Sequence, residues 1–321
     1  MTDNVIKKLN EAFSDISVGD LNAGGAKLDP EQTETFFRRG IENSNFLNDV
    51  QSFSMRADTV KMPKVIMSEP ITAVAPAGTS PYLNNAQDNR HLDQNLRENP
   101  TFEQVVISAQ EYMAEFYVSD DVMDNNVEGR NLYNIIMEMA SKRITNDLEL
   151  LLLQSDNPGA VHPKASFQAA LRLQNGVVKN VSSYVVNGGG NGIIVSTIGN
   201  AMKLVPAIYQ AELPNMKLYV PYQKEIDYRQ TLAARQTNLG DQAQTSNVQS
   251  RIMGKDIVAL NTLPATTGLL INPKNVLLGF QREMTVETVR NARARSTTIV
   301  MHYKAAFGVM EELAAVKITN L

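Results

Sequence analysis

The chain has no cysteine among its 321 residues. Disulfide bonds, thiolate nucleophiles and cysteine-based zinc sites are therefore excluded. No apolar run approaches the roughly 18 residues that a membrane-spanning helix requires. The first residues, MTDNVIKKLNEAF, lack the apolar core of a secretory signal peptide. We therefore expect a protein that is made in a cytoplasm-like compartment and has no membrane partner.

Positive charge is not in excess. Lys and Arg number 30 against 34 Asp and Glu, and 43% of the residues are hydrophobic. A dedicated nucleic-acid-binding domain usually carries a basic stripe instead of a net charge of −4. The composition indicates a globular protein with enough residues for one large domain or two modest ones.

Catalytic motifs are scarce as well. The three histidines, His91, His162 and His302, stand far apart with no pairing at metal-ligand spacing. No G-x-S-x-G pattern occurs, so a nucleophile elbow has no support. We expect a protein that is not an enzyme and that needs no cofactor.

One acidic cluster offers an alternative to a protein without a catalytic site. Asp120, Asp121 and Asp124 spell D-D-x-x-D, a pattern that could hold Mg²⁺ on a helix. Acidic residues also gather at helix starts because the helix dipole favours them there. Since no second acidic cluster or basic phosphate clamp accompanies them, we expect no metal site and keep a metal-dependent enzyme as a distant alternative.

The most regular stretch of the sequence runs from Asn131 to Ser155. Its apolar residues recur at the three- and four-residue spacing of a helix with one buried stripe. They are Leu132, Ile135, Ile136, Met139, Ile144, Leu148, Leu151 and Leu152. Asp156-Asn157-Pro158-Gly159 ends the pattern. We predict a helix over residues 131–155, about 37 Å long at ~1.5 Å per residue, which can serve as the spine of an elongated subunit.

A polar tip between two strand-like segments precedes this helix. Val60–Val74 is strand-like, and its prolines at 63 and 70 confine it to a sheet edge or a two-stranded ribbon. After the polar residues 84–99, alternation returns over Thr101–Ser119. Two long strands joined by a solvated tip predict a long β-ribbon.

The chain after the helix alternates helical and strand-like patterns before it ends in strands. We predict a weak strand at 176–178, a helix from Ser196 to about Ala211 and a strand at Gly268–Ile271. Two separate strands are predicted at Val276–Phe280 and Met284–Arg290. The block from 196 to 280 is thus a compact α/β unit.

This order of elements resembles the major capsid proteins of tailed bacteriophages, whose Johnson (Hong Kong-type) fold also occurs in encapsulins. The resemblance covers Val60 to the C-terminus. It is carried by TFEQVVISAQEYMAEFYVSDDVMDN running into the long helix, and by the ending VETVRNARARSTTIVMHYKAAFGVMEELAAVKI.

The resemblance implies an α+β fold with five parts. They are an N-terminal arm (1–58), an extended β-ribbon loop (59–108), a peripheral domain whose first part holds the spine helix (109–195), an axial α/β domain (196–280) and the C-terminal strands of the peripheral domain (281–321). It further implies a structural protein that self-assembles into pentamers and hexamers. These would form the icosahedral head shell of a virion around double-stranded DNA, after assembly in the host cytoplasm.

Other partners also follow from the resemblance. Portal and scaffolding or decoration proteins are expected, together with non-specific contact of the inner face with packaged DNA. An encapsulin-like nanocompartment shell with the same fold is the alternative function. The long arm and ribbon favour the phage capsid over that alternative.

Charge divides unevenly between the ribbon and the last strands. Residues 66–115 carry two basic and seven acidic residues, a balance of −5. The acidic ones are Glu69, Asp88, Asp93, Glu98, Glu103, Glu111 and Glu115. Residues 282–304 carry five basic and two acidic residues, a balance of +3. The basic ones are Arg282, Arg290, Arg293, Arg295 and Lys304.

We predict that the acidic ribbon of one subunit lies on the basic strands of its neighbour. Complementary charge of this kind sets register and suppresses wrong pairing more than it adds affinity. Arg290, Arg293 and Arg295 would carry the basic side of this contact. Two unrelated solvated faces, or a basic hairpin that faces packaged DNA, are the alternatives.

The arm supplies a second candidate contact. Large apolar residues lie in a segment that cannot bury them by itself: Phe36, Phe37, Ile41, Phe46 and Leu47. Such residues on a peripheral arm usually mark a partner surface. We therefore predict that they contact an adjacent subunit.

Overall fold

The computed structural model describes Ser44 and residues 46–66, 101–124, 132–157, 162–234 and 250–321. These residues divide into two compact units. The body contains the described residues up to Thr59 together with Ile107–Leu321, and the ribbon unit covers Val60–Val106. Among the described residues, no helix combines the length and hydropathy needed to cross a membrane.

Strands and helices are numbered along the chain. The strands are β1 Gln51–Ser54, β2 Thr59–Ile66, β3 Thr101–Ser108, β4 Gln110–Ser119, β5 Val185–Asn187, β6 Lys217–Pro221, β7 Arg251–Ile252, β8 Lys255–Leu260, β9 Gly268–Ile271, β10 Val276–Asn291, β11 Ser296–Val309 and β12 Val316–Thr319. The α-helices are α1 Asp120–Asp124, α2 Leu132–Gln154, α3 Ala165–Leu171, α4 Val177–Asn180, α5 Val195–Leu204 and α6 Tyr222–Ala233. Short 3₁₀ segments lie at Ala207–Asn215, Pro273–Asn275 and Glu312–Ala314.

Helix α2 confirms the long helix predicted at 131–155 and is one residue shorter at each end. Its buried stripe consists of Met137, Ala140, Ile144, Leu148, Leu151 and Leu152. Met139, which the prediction placed in the stripe, is instead 66% exposed. Met137 lies seven residues before Ile144, two turns back on the same face of the helix, and takes that place.

Four of the described strands form a sheet in the order β1–β10–β11–β4. Strand β11 lies antiparallel to both β10 and β4, whereas β1 is parallel to β10. Alternate residues point to opposite faces of a sheet, so one face of β11 carries Ile299, Met301 and Tyr303 into the core. The other face is exposed or half-buried over Thr297–Lys304 of β11, whereas both faces are buried at Val276–Phe280 of β10 and Ala305–Val309 of β11.

The prediction of two separate strands at 276–280 and 284–290 was wrong. Strand β10 runs continuously over both. Its pairing with β11 shifts register between Phe280 and Arg282 and again between Arg282 and Thr285. A bulge of this kind bends a strand without ending it, so the break in the sequence pattern marks a bulge rather than a turn.

A second sheet has the order β5–β12–β9–β6–β8–β7 and is mixed parallel and antiparallel. Its strand β9 occupies the predicted range, Gly268–Ile271. Both faces of its central strands are covered. Tyr219 and Leu269 join the core around α2, whereas Leu218 and Leu270 join a second core with α5 and α6.

Two local predictions were wrong. The weak strand expected at 176–178 is the start of helix α4, whose Lys179 N–H donates to Gly176 O at 3.1 Å. The helix expected from Ser196 to about Ala211 is α5, which ends at Leu204. Pro206 follows with an extended backbone, and a 3₁₀ segment continues from it.

The ribbon unit is a two-stranded sheet of β2 and β3, as predicted from the prolines at 63 and 70. The predicted second strand, Thr101–Ser119, is interrupted at Ala109, where β3 ends and β4 begins. No described residue of the ribbon unit is buried. Lys64 and Glu103 form an ion pair across it at 3.5 Å.

Candidate intersubunit surfaces

The turn between β10 and β11 gathers the predicted basic residues at one end of the four-stranded sheet. Asn291 Oδ1 accepts hydrogen bonds from Arg293 N and Ala294 N, both at 3.2 Å. Arg295 has a φ of +46°, a left-handed conformation that closes the turn. Arg293 and Arg295 are exposed, and among the described residues no ion pair involves either of them.

The other basic residues of this region pair with acidic residues of the same chain. Arg290 Nη2 lies 2.9 Å from Asp120 Oδ2. Two further pairs, both at 3.4 Å, are Arg282–Glu111 and Lys304–Asp58. Arg290 therefore fixes α1 against the hairpin, and the two arginines of the turn carry the exposed positive charge.

The sheet also changes the charge division expected from the sequence. Glu111 and Glu115 were counted with the acidic ribbon, but the structure places them on β4, opposite Lys304 and Val300 of β11. They therefore belong to the same sheet as the basic strands. The remaining acidic residues proposed for the contact, Asp88, Asp93 and Glu98, lie outside the described residues.

An apolar surface that the sequence analysis missed lies on the open face of this sheet. Tyr117 pairs with Thr298, which pairs in turn with Val289, so the three form one row across β4, β11 and β10. Tyr117 is 65% exposed, Val289 59% and Met113, two rows of residues further along β4, 62%. The prediction followed the alternation at Val106, Tyr112, Ala114 and Phe116. Met113 and Tyr117 occupy the other positions of this alternation along β4.

The arm residues separate into two groups. Phe36, Phe37 and Ile41 lie outside the described residues, so their contact with a neighbour stays a prediction. Phe46 and Leu47 were wrongly assigned to a partner surface, since both are buried in the body. The ring of Phe46 packs edge-on against Tyr219 with centroids 5.0 Å apart. A short apolar segment that cannot form its own core is here completed by distant parts of the same chain.

The acidic cluster at α1 gives no support to a metal site. Asp120 is paired with Arg290, and its backbone N–H donates to Arg295 O at 2.8 Å. The side chain of Asp124 lies outside the described part of the chain. Among the residues that the structure does describe, no three His, Cys, Asp or Glu side chains come together to hold a metal. Asp120 and Asp121 instead lie in the first turn of α1, and Asp120 braces the hairpin.

A cavity of about 570 Å³ lies beside the six-stranded sheet. Its walls include Asp49, Lys217, Glu225 and Arg229. The charges are matched within the chain, because Lys217 pairs with Asp49 and Arg229 with Glu225. Ser250 Oγ adds a hydrogen bond to Glu225 Oε1 at 2.9 Å. The four charged side chains of this cavity thus form two ion pairs within the body.

Three of the tyrosines buried in the cores have a shifted pKa. Burial raises the pKa of Tyr112, and the side-chain hydrogen bond from Gln174 opposes this only in part. Burial, reinforced by the charge of Asp49, raises the pKa of Tyr219, and burial beside Tyr112 and Asp147 raises that of Tyr303. All three are therefore neutral packing groups, and none has the lowered pKa of an activated nucleophile.

Comparison with known proteins identifies relatives of this arrangement. No family model matches the sequence. A Bacillus subtilis (strain 168) protein named as a prophage capsid protein, YqbE, is 28% identical over 320 residues and covers 96% of each chain.

Solved structures share the fold. The procapsid of satellite phage P4 with its size-determination protein contains a chain that matches with a TM-score of 0.62 and 14% identity, over 100% of this chain and 98% of that one. A chain of Microbacterium phage Oxtober96 matches with a TM-score of 0.60 and 14% identity, over 86% and 90%. The resemblance to phage capsid proteins seen in the sequence is confirmed, and the chain has the mixed α/β fold of these capsid subunits.

Proposed function

We propose that this chain is the major capsid protein of a tailed phage, which self-assembles into the icosahedral head shell. The single observation that supports this most strongly is the match over the whole chain to a subunit of a phage procapsid. The B. subtilis relative, similar over nearly the full length of both chains, carries the same capsid description. The protein acts through geometry: each copy presents different surfaces to its neighbours, and symmetry closes the shell.

The parts of the Johnson fold are assigned on this basis. Residues 1–58 are the arm, 59–108 the extended loop, 109–195 and 281–321 the peripheral domain, and 196–280 the axial domain at the centres of pentamers and hexamers. Helix α2 is the spine of the peripheral domain. Portal, scaffolding or decoration proteins and packaged DNA are further partners of the assembled shell.

The ribbon unit supports an assembly role because its described residues form a two-stranded sheet that exposes apolar side chains. Val65, Phe102 and Val106 are 54%, 75% and 50% exposed. A two-stranded sheet is marginally stable in water unless its residues pack against something else. A neighbouring subunit supplies that packing in the proposed shell.

The basic turn supplies the second contact. Arg293 and Arg295 of one subunit are proposed to meet Asp88, Asp93 and Glu98 of a neighbouring ribbon, while the arm residues Phe36, Phe37 and Ile41 clasp an adjacent subunit. The exposure of both arginines supports the first part. Since exposed charges act mainly on register and association rate, their loss changes how shells form more than how the subunit folds.

Electron microscopy of the purified, concentrated protein tests the function. Closed icosahedral shells are the expected result, with or without bound nucleic acid. A protein that stays monomeric at all concentrations, also when scaffolding protein from the same phage is added, would contradict the proposal.

Charge reversal tests the basic turn separately. Arg293→Glu combined with Arg295→Glu is expected to block or misregister shell assembly and to leave the thermal unfolding of the subunit unchanged. The matched control is Arg293→Lys with Arg295→Lys, which keeps both positive charges and should assemble. Normal shells from the double Glu variant would show that the two arginines make no contact needed for assembly, and would leave the proposed capsid function intact.

A further inference from the structure

A buried carboxylate of the spine helix, that of Glu149, binds Ser44. Glu149 of α2 is only 5% exposed. Ser44 Oγ donates a hydrogen bond to its Oε2 at 2.5 Å, and Thr262 Oγ1 donates one to its Oε1 at 2.5 Å. The two hydroxyls are 218 positions apart in sequence and approach the same carboxylate from different segments. A buried carboxylate with both oxygens satisfied is a strong local anchor, since hydrogen bonds to a charged group are the stronger kind.

Ser44 links this anchor to the turn at residues 46–50. Its Oγ accepts from Leu47 N at 3.1 Å, and its backbone oxygen accepts from Asn48 N at 3.2 Å. The hydroxyl therefore donates to Glu149 and accepts from the turn at the same time. Breaking the bond to Glu149 removes the partner that orients the hydroxyl for capping the turn.

The far side of the turn is fixed to the six-stranded sheet. Phe46 packs on Tyr219, and Asp49 pairs with Lys217, both residues of β6. Residues 217 and 219 lie on the same face of β6 because side chains alternate along a strand. Thr262 follows β8 of the same sheet. The turn thus touches the spine helix on one side and the six-stranded sheet on the other.

The chain then joins the four-stranded sheet without a break. Strand β1 pairs with β10 from Gln51↔Leu277 to Ser54↔Phe280, and Met55 N donates to Phe280 O at 2.7 Å. A Cβ on Gly279 would lie 2.4 Å from Met55 Sδ, so the side chain of Met55 packs directly over this glycine. The turn therefore contacts the spine helix and the six-stranded sheet, and the chain runs from it directly into the four-stranded sheet.

We propose that Glu149 is a latch that couples Ser44 and the turn at residues 46–50 to the joint between the spine helix and the six-stranded sheet. A disturbance on the Thr262 side is transmitted through the carboxylate to Ser44 and the turn. A disturbance on the Ser44 side reaches the Thr262 segment by the same route. Coupling between two sites is reciprocal by thermodynamic necessity, which makes the latch testable from either end. It is a property of the folded subunit and does not depend on the proposed shell.

Hydrogen exchange of the full-length chain, followed by mass spectrometry, tests the latch. Thr262→Val removes the hydroxyl at nearly constant volume. It is expected to speed amide exchange in residues 46–50 by roughly tenfold to a hundredfold, the equivalent of one lost hydrogen bond to a charged group. Thr262→Ser, which keeps the hydroxyl, should restore slow exchange there.

The reciprocal variant is Ser44→Ala, which should speed exchange in the segment around Thr262. The matched control is Ser155→Ala, because the buried Ser155 Oγ has no hydrogen-bond partner among the described residues. This control should leave exchange in residues 46–50 unchanged.

Exchange that rises only in the segment carrying each substitution would overturn the latch and leave two separate hydrogen bonds. If Thr262→Val does not fold, Ser44→Ala decides the question alone. Exchange around Thr262 that stays at the wild-type rate in Ser44→Ala also contradicts the proposal.

Discussion

The ribbon unit and the four-stranded sheet are built from the same kind of alternating strand, yet only the sheet buries one of its faces. Ile299 and Met301 of β11 are fully buried, whereas Phe102 of β3 is 75% exposed. The sheet lies over the core that contains α2, and the ribbon unit contains no described residue that is buried. The comparison teaches that the described buried core lies in the body. It also supports the proposal that the ribbon unit is a contact surface for a neighbouring subunit.

The largest expected effect is the loss of shell formation after a substitution in the ribbon unit. Phe102→Asp should abolish shell formation, because it places a charge where a large apolar side chain is proposed to contact a neighbour. The stability of the isolated subunit should change by no more than about 0.5 kcal/mol, as for most exposed positions. Electron microscopy and urea unfolding of the same preparation measure both quantities.

Phe102→Tyr serves as the control for that variant and should assemble, since the aromatic ring is retained. A subunit with Phe102→Asp that assembles normally would show that the ribbon contributes no apolar contact at this position.

A substitution in the core of the body tests whether the body supplies the stability of the subunit. Leu148 of α2 is fully buried in the core shared by both sheets. Leu148→Ala should lower the free energy of unfolding by about 2–5 kcal/mol, the usual cost of a large-to-small change that leaves a cavity. Urea unfolding followed by circular dichroism measures the loss. The matched surface change is Met139→Ala on the exposed side of the same helix, and an equal loss in the two variants would contradict the assigned buried face.

The smallest expected effect concerns the alkaline limit of the body. The pKa of Tyr219 is raised by burial and by the charge of Asp49, so the folded state holds the phenol proton more tightly than the unfolded state does. The stabilisation is complete below the unfolded pKa of about 10 and is lost as the pH rises towards the folded pKa.

Tyr219→Phe should therefore leave stability near pH 7 almost unchanged, because the buried hydroxyl has no hydrogen-bond partner among the described residues. It should reduce the loss of stability above about pH 10. Thermal unfolding measured from pH 7 to pH 11 gives the comparison. An unchanged alkaline slope would show that Tyr219 ionises as freely in the folded state as in the unfolded one.

Local periodicity explains which parts of the fold could be predicted. Helix α2 was predicted to within one residue at each end because its apolar stripe extends over many turns. The two-stranded ribbon followed from proline, which cannot donate a ladder hydrogen bond. Strand β9 lies between clear turn signals and was predicted with its bounds.

Features set by distant contacts could not be predicted in this way. The short run at 176–178 has strand-like valines, but residues 177–180 form a helix. Gly176, just before it, packs against the end of α2 so closely that an added Cβ would lie 2.6 Å from Ser155 N. Phe46 packs against Tyr219, which lies 173 positions further along the chain, and Leu47 is buried in the same core. The acidic β4 lies beside basic strands through pairing across nearly 190 positions.

The same limit applies to the candidate contacts. The sequence identified the basic turn at Arg293 and Arg295 from composition alone. It missed the apolar row of Tyr117 and Val289, because those residues become neighbours only when β4 and β10 flank β11. Contact surfaces of this kind are made by strand order, which no local pattern encodes.

The most direct test of the central claim is hydrogen exchange of β2 and β3 in the dissociated subunit and in assembled particles. The account predicts fast exchange of both strands in the subunit and strong protection in the particle, with β10 and β11 protected in both. Equal protection of β2 and β3 in the two states would contradict it, because the ribbon would then gain its stability within its own chain.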